Sequence, residues 1–257
     1  MVAFIEHDAP HIFDHIAVEG SQCSESYVRK YLRTLGWSER CSTRAAKKLP
    51  PNYKQILSDL FLRQAFIIRD HGIPAALRVN TDQTQTHYQI GGKRTWNKKG
   101  EKQIATFGTD EKRAFTLLPS ISASGELFPM QTIFHCQTNA SCPSTGARRY
   151  AEAKGLGFKF EPSHSHTYWS TQATMKSLVD EIIAPYFDAR KQGLMLPTSQ
   201  CALWMIDCWS VHKSKDFRSW MKDAHSNIII SFVPGNLTGL AQPLDVGIQR
   251  VLKQSMK

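Results

Sequence analysis

The chain has 257 residues, 41% of them hydrophobic and 21% charged, with a formal net charge of +10. That length suits one large domain, or a medium one with a small companion, and the composition is that of an ordinary folded chain. The charge specifies no fold but favours polyanionic partners through counterion release. No apolar run approaches the roughly 18 residues of a membrane span. No signal peptide is expected, because the start lacks a basic region followed by an apolar one. The six cysteines form no CxxC pair, which argues against a zinc ribbon or a thioredoxin-type site, and their expected state is the reduced thiol.

In chain order, PHIFDHIAVEG suggests a weak first helix. SESYVRKYLRTL (24–35) predicts a clearer one, with Ser24 as N-cap and Gly36 just past its end. Tyr27, Val28, Tyr31, Leu32 and Leu35 share one face of it, and Arg29, Lys30 and Arg33 lie off that face. Basic residues continue through Arg40, Arg44, Lys47 and Lys48 to the break at Leu49-Pro50-Pro51. A longer helix is expected from about Asn52 to His71, ended by Gly72 and Pro74. The pattern then turns to strands: 76–81, 113–122 and 127–137, the last two forming a hairpin around Ser124-Gly125-Glu126. Between them, 87–111 is polar and basic, with Lys93, Arg94, Lys98 and Lys99 around Trp96, and is read as a surface insertion or short hairpin. Residues 138–170 look irregular, and within and beside them Cys136, Cys142, His164 and His166 lack regular zinc-ligand spacing. A helix over 171–191, a buried strand over 201–206, a helix over 215–224, a strand over 227–233 and a helix from Leu244 complete the pattern. The tryptophans are expected to be core or loop anchors.

Three aspartates stand out. Asp82 follows an apolar strand in N-T-D-Q-T. Asp207 ends the apolar run A-L-W-M-I-D. Asp245 opens the last helix in Q-P-L-D. A lone carboxylate at the end of a buried strand costs several kcal/mol unless it is paired. A hard divalent cation, which takes oxygen ligands, removes that cost. Taken singly, each also fits a strand end, a turn or a dipole-favoured helix start. If the strands at 76–81 and 201–206 lie side by side, Asp82 and Asp207 meet, and a helix from Leu244 brings Asp245 above both.

With their neighbours, these residues resemble the DDE superfamily endonuclease domain of pogo-type transposases, in the wider mariner-like group. The match is carried by Asp82 in N-T-D-Q-T, by Asp207 with His212, and by Gln242-Pro243-Leu244-Asp245 with Leu252-Lys253. Gln83 stands where the family often has Glu, and Cys208 and Trp209 follow the second Asp, where a small residue is common. The segment from Ser24 through K-K-L-P resembles the end of a centromere-protein-B-type helix-turn-helix.

The resemblance implies an α/β fold, an RNase H-like mixed sheet flanked by helices, preceded by a small all-α helix-turn-helix segment. The expected layout is a partial DNA-binding segment at 1–50, a helical linker at 51–75 and a catalytic domain at 76–257. That domain is expected to be truncated, since the chain stops about three turns after Asp245. The implied activity is Mg²⁺- or Mn²⁺-dependent cleavage and strand transfer at transposon ends, with two ions on Asp82, Asp207 and Asp245 and His212 as an accessory. Arg29, Lys30, Arg33, Lys93, Arg94, Lys98 and Lys99 are the expected contacts to double-stranded DNA, at transposon ends and at the target. Homodimerisation and a nuclear location are implied as well. The alternative is a domesticated or decayed DNA-binding module without catalysis.

Overall fold

A computed structural model describes residues 25–41, 49–87, 94–100 and 114–256. The weak helix expected in PHIFDHIAVEG, and Lys93, lie outside the described residues. In chain order the first elements are α1 (Glu25–Thr34), β1 (Trp37–Cys41), α2 (Tyr53–Asp70), β2 (Arg78–Thr81), β3 (Thr84–His87), β4 (Arg94–Lys98), β5 (Ala114–Leu118), β6 (Ser120–Ser122) and β7 (Gln131–Phe134). They are followed by α3 (Tyr150–Gly155), β8 (Lys159–Pro162), α4 (Gln172–Leu178), α5 (Ala184–Gly193), β9 (Ala202–Asp207), α6 (Ser210–Lys213), α7 (Lys215–Ala224), β10 (Ile228–Val233), α8 (Thr238–Ala241) and α9 (Gln249–Ser255). Two compact units result, one drawn from Met1–Ala46 with Gly91–Asp110, the other from Lys47–Ile90 with Glu111–Lys257.

In the first unit, α1 ends as its sequence suggests: Gly36 takes φ +75°, a left-handed conformation that costs glycine least. The next element is a strand. β1 pairs antiparallel with β4, from Trp37 opposite Lys98 to Cys41 opposite Arg94, and the Lys99 N–H donates to the Gly36 carbonyl at 2.8 Å. The basic stretch assigned by sequence to the catalytic domain is thus paired with the segment after α1. The expected boundary near residue 50 does not separate the two.

In the second unit the strands form two four-stranded sheets, β10-β9-β2-β6 and β3-β5-β7-β8. Their registers show that these are halves of one sheet. Thr81 faces Ser120 and Thr84 faces Leu117, and both pairs of residue numbers sum to 201, so β2–β3 and β6–β5 share a single antiparallel ladder. The ladder is interrupted at Asp82-Gln83 opposite Pro119, which has no N–H to contribute; only the Asp82 N–H bridges the gap, to the Pro119 carbonyl at 3.2 Å. β9 runs parallel to β2 and to β10. The mixed sheet, flanked by helices, is the α/β architecture expected from the sequence.

The core is built from the sheet's apolar residues and one helical layer: Leu77, Val79, Leu118, Ile133, Trp204 and Ile206 pack with Met175, Leu178 and Phe217. Continuous burial of Ala202–Trp204 is the mark of a central strand covered on both faces. The helix expected over 171–191 is a single run in which Val179–Ile183 forms a π turn between α4 and α5, and it opens with a capping box of Thr171 and Thr174. α2 belongs to this unit and is not a free linker. Its Leu60 packs with Val233 and Ala241, and the Gln64 amide donates to Ser231 Oγ at 2.9 Å. The stretch 138–170, read as irregular, contains α3 and an edge strand, β8, parallel to β7. β8 escaped a sequence reading because it ends on Pro162, which only an edge tolerates. Among the described residues no helix is long and apolar enough to cross a membrane.

Candidate active site

Strand register brings the first two aspartates together. β2 and β9 pair with a constant offset, Arg78 opposite Leu203 and Asn80 opposite Met205; 203 − 78 and 207 − 82 are both 125, so Asp82 lies level with Asp207. The third arrives by side-chain hydrogen bonds. Asn80 Oδ1 accepts the Leu244 N–H at 3.0 Å while its Nδ2 donates to the Met205 carbonyl at 3.0 Å. Gln242 Nε2 donates to the Thr81 carbonyl at 3.3 Å. The N-T-D and Q-P-L-D segments are thereby stapled to each other and to β9, and Asp245 stands on the π turn Leu244–Ile248 directly after the staple. Behind Asp82, the indole N–H of Trp204 donates to Thr81 Oγ1 at 2.8 Å, which also meets Ser120 Oγ at 2.7 Å.

The electrostatics register this convergence. Burial, then the charge of Asp245, then that of Asp207, push the Asp82 carboxyl from 3.8 up to about 8, a side-chain hydrogen bond with Asp245 adding to the rise and the Gln83 backbone N–H opposing it. The Asp82 carboxyl is therefore held well above the usual carboxylate range. Gln249 Nε2 donates to Asp82 Oδ2, and Lys253 Nζ donates to Gln249 Oε1 at 3.3 Å. Sequence reasoning missed Gln249; its only signal was a position one helical turn after Asp245.

His212 is buried beside Asp207. Its Nδ1 lies 2.7 Å from Asp207 Oδ1 and 3.2 Å from the Asp207 carbonyl oxygen. Only the second contact has hydrogen-bond geometry, so Oδ1 is buried without a donor. Nε2 faces the Gln83 amide at 3.3 Å, so the ring is held between the Asp207 main chain and Gln83. Ser170 Oγ donates to Gln83 Oε1 at 2.9 Å. A cleft of about 280 Å³ opens here, lined by Gln83, Trp169, Asp207 and Trp209. Another cavity, about 200 Å³, is lined by residues such as Gln64, Arg78 and Pro243; it holds no carboxylate, so the chemistry belongs to the first.

The donor set fits a hard divalent cation: three carboxylates, one buried carboxylate oxygen without a donor, and a proton held where a cation would replace it. Among the described residues, however, no three His, Cys, Asp or Glu groups are spaced to close on one ion. The carboxylates are gathered but not drawn around a common point. The Cys136, Cys142, His164 and His166 set is not gathered as a metal cluster either. His164 Nδ1 engages the Gln137 carbonyl at 3.0 Å, and hydrogen bonds from Ser141 and Thr138 lower the Cys136 thiol to about 7.

Of the residues expected to contact DNA, Arg29, Lys30 and Arg33 are exposed on α1, and Lys98 and Lys99 are exposed at the end of β4. Arg94 lies in β4, its side chain outside the described residues. The sequence treated these as two sites in two domains; the β1–β4 ladder puts them in one unit.

Residues 111–257, more than half of the chain, match the family model described as DDE superfamily endonuclease. Asp207 and Asp245 lie within the match; Asp82 lies before it. No curated protein matches the sequence. Among solved structures, the chain is similar to the Mos1 strand transfer complex, at 12% identity and a TM-score of 0.44 over 97% of this chain and 64% of that one. It is also similar to the Mos1 transposase paired-end complex with left transposon end, at 9% identity and a TM-score of 0.47 over 98% of this chain and 66% of that one. The Mos1 mariner paired end complex with Mn gives 10% identity and a TM-score of 0.47 over 98% and 66%. The chain thus spans 64–66% of the length of these structures.

Proposed function

The chain belongs to the DDE superfamily endonuclease family, and from that premise we propose that it is a metal-dependent DNA endonuclease and strand transferase acting on transposon ends. The observation that supports this reading best is the arrival of Asp82 beside Asp207 and Asp245. It lies outside the matched residues 111–257, yet register and the Asn80 staple deliver it to the other two.

In this reading Asp82, Asp207 and Asp245 hold Mg²⁺ or Mn²⁺, and three carboxylates from three elements suffice for two ions. When bound, the metal supplies the charge that activates a water or a 3′-hydroxyl and stabilises the leaving oxygen. The chain's own residues prepare the site. Asp82, whose carboxyl is raised in the metal-free site, would give its proton to solvent where a cation took its place. Gln249 orients Asp82 through Oδ2. His212 is a positioning residue that ties the Asp207 main chain to Gln83. Arg29, Lys30, Arg33, Lys98 and Lys99 grip phosphate, in keeping with the net charge of +10. The partner is double-stranded DNA, two copies of the chain act on paired ends, and the setting is the nucleus.

The test is cleavage of labelled transposon-end DNA with and without Mg²⁺. Wild type cleaves only with the metal, and Asp207→Asn loses cleavage while keeping its fold and DNA affinity. Undiminished cleavage by Asp207→Asn would falsify the assignment. A second reading, a DNA-binding module without catalysis, draws on the lack of any three groups spaced to hold an ion among the described residues. DNA binding by wild type without Mg²⁺-dependent cleavage favours that reading.

A further inference from the structure

Beyond the carboxylates, the cleft at Asp207 has aromatic walls that the proposed chemistry does not use. Trp169 is 43% exposed, although a tryptophan this large usually hides most of its surface. It faces Trp209 with ring centroids 6.3 Å apart and planes inclined at 51°. Both rings line the same cleft as Asp207 and Gln83. The other central tryptophan, Trp204, is fully buried in the core, so exposure separates Trp169 from an ordinary packing role.

The surrounding bonds hold Trp169 in place. Its predecessor Tyr168 is pinned twice: Thr116 Oγ1 donates to the Tyr168 carbonyl at 2.6 Å, and the Gln85 amide donates to the Tyr168 hydroxyl. Its successor Ser170 is bonded to Gln83. Trp209 stands at the N-cap of α6, edge-on to His212 at 5.6 Å and 90°. Both rings are thus set before anything binds, which lowers the ordering cost of binding.

The geometry also limits the occupant. Carbon atoms in contact sit about 3.5–4.0 Å apart, so a flat ring sandwiched between two parallel rings needs about 7 Å. At 6.3 Å and 51° the tryptophans form a wedge. Tyr168 packs against the same indole, with ring centroids 5.4 Å apart at 39°, so a planar ring would stack on the exposed part of Trp169 while Trp209 bounds it, in the offset and edge-on arrangements that aromatic pairs favour.

We propose that Trp169 and Trp209 form a base-binding notch that takes one unstacked nucleobase of the DNA strand at Asp207. Stacking of this kind is tolerant of sequence, because every base offers a π face. The notch rests on the endonuclease reading for its occupant, since the strand is what brings a base to Asp207. It differs from that reading in requiring an unpaired nucleotide.

The test uses the full chain in Ca²⁺ buffer with two DNA probes, a blunt duplex and the same duplex with a short single-stranded overhang carrying 2-aminopurine. Anisotropy of a distal label reports binding, and 2-aminopurine fluorescence reports stacking. Wild type should prefer the overhang and quench the 2-aminopurine. In Trp169→Ala the preference should fall about tenfold, equivalent to about 1.4 kcal/mol, and the quench should disappear. Trp169→Phe should keep most of both, whereas Trp169→Leu, which retains apolar surface without a ring, should not. An equal overhang preference in wild type and Trp169→Ala, or rescue by Leu as full as by Phe, overturns the notch and leaves the endonuclease reading standing. Failure of wild type to bind either probe overturns both.

Discussion

Replacing Asp82 with Asn isolates the electrostatic tension at the site. Burial and two neighbouring carboxylates raise Asp82 from 3.8 to about 8. The folded protein therefore holds this proton up to about pH 8, whereas the unfolded chain releases it near 3.8. Between those values the native state binds more protons than the unfolded one, so stability falls as pH rises and levels off above about 8. At pH 7 the gap is 7 − 3.8, about three units, and at 1.36 kcal/mol per unit the metal-free protein is weakened by about 4 kcal/mol. Asp82→Asn preserves the shape, accepts from Gln249 and donates to Asp245, and carries no charge. It should raise the metal-free melting temperature at pH 7 by about 10 °C, given 2–4 °C per kcal/mol for a chain of this size. It should also flatten the pH dependence between about 4 and 8. Mg²⁺ should stabilise wild type, by about 2.7 kcal/mol at a hundredfold excess over Kd, and Asp82→Asn far less. Thermal melts in EDTA from about pH 4.5 to 8.5, wild type minus variant, read this directly. A difference that does not grow with pH, or a variant less stable than wild type at pH 7, refutes the argument.

Single contacts give the other expectations. Asn80→Ala removes the staple between β2, Met205 and Leu244; it should cost about 2–3 kcal/mol in denaturant unfolding and abolish Mg²⁺-dependent cleavage, whereas cleavage at the wild-type rate would dissolve the staple's role. Trp204→Phe loses the bond to Thr81 and leaves a void in the core where the larger indole packed, and should cost about 2–4 kcal/mol, seen as a lower urea midpoint. Cys136, lowered to about 7, should alkylate fastest at pH 7, ahead of Cys142, which burial raises; mass spectrometry after brief iodoacetamide exposure reads the order, and equal labelling would count against it. Arg33→Ala and Lys99→Ala should each flatten the salt dependence of DNA binding by about one unit of slope, and unchanged slopes would remove them from the interface.

The sequence was most legible where burial dictated it. Ala202–Ile206 could be nothing but a covered strand, and the helix over 215–224 appeared with those bounds. Asp207 and Asp245 could be picked out because their neighbours are apolar or form a compact motif. Long-range polar contacts were less legible. β1 and β4 are both polar, and their pairing joins segments more than fifty residues apart, so no local pattern betrays it. Gln249 reads as an ordinary helix residue until its amide is seen on Asp82. Trp169 and Trp204 look alike in sequence, and only packing separates an exposed wall from a core side chain. Asn80 gained meaning only from partners 125 and 164 positions away.

That last separation bears on synthesis. The hydrogen bond from Leu244 to Asn80 cannot form until the chain has grown by the 164 positions between them. At 5–20 residues per second, that interval is roughly 8 to 30 s. Throughout it the β2 end carries Asp82 without the segment that brings Asp245 and Gln249. A ribosome-bound chain therefore carries an incomplete carboxylate set until the segment with Asp245 and Gln249 emerges.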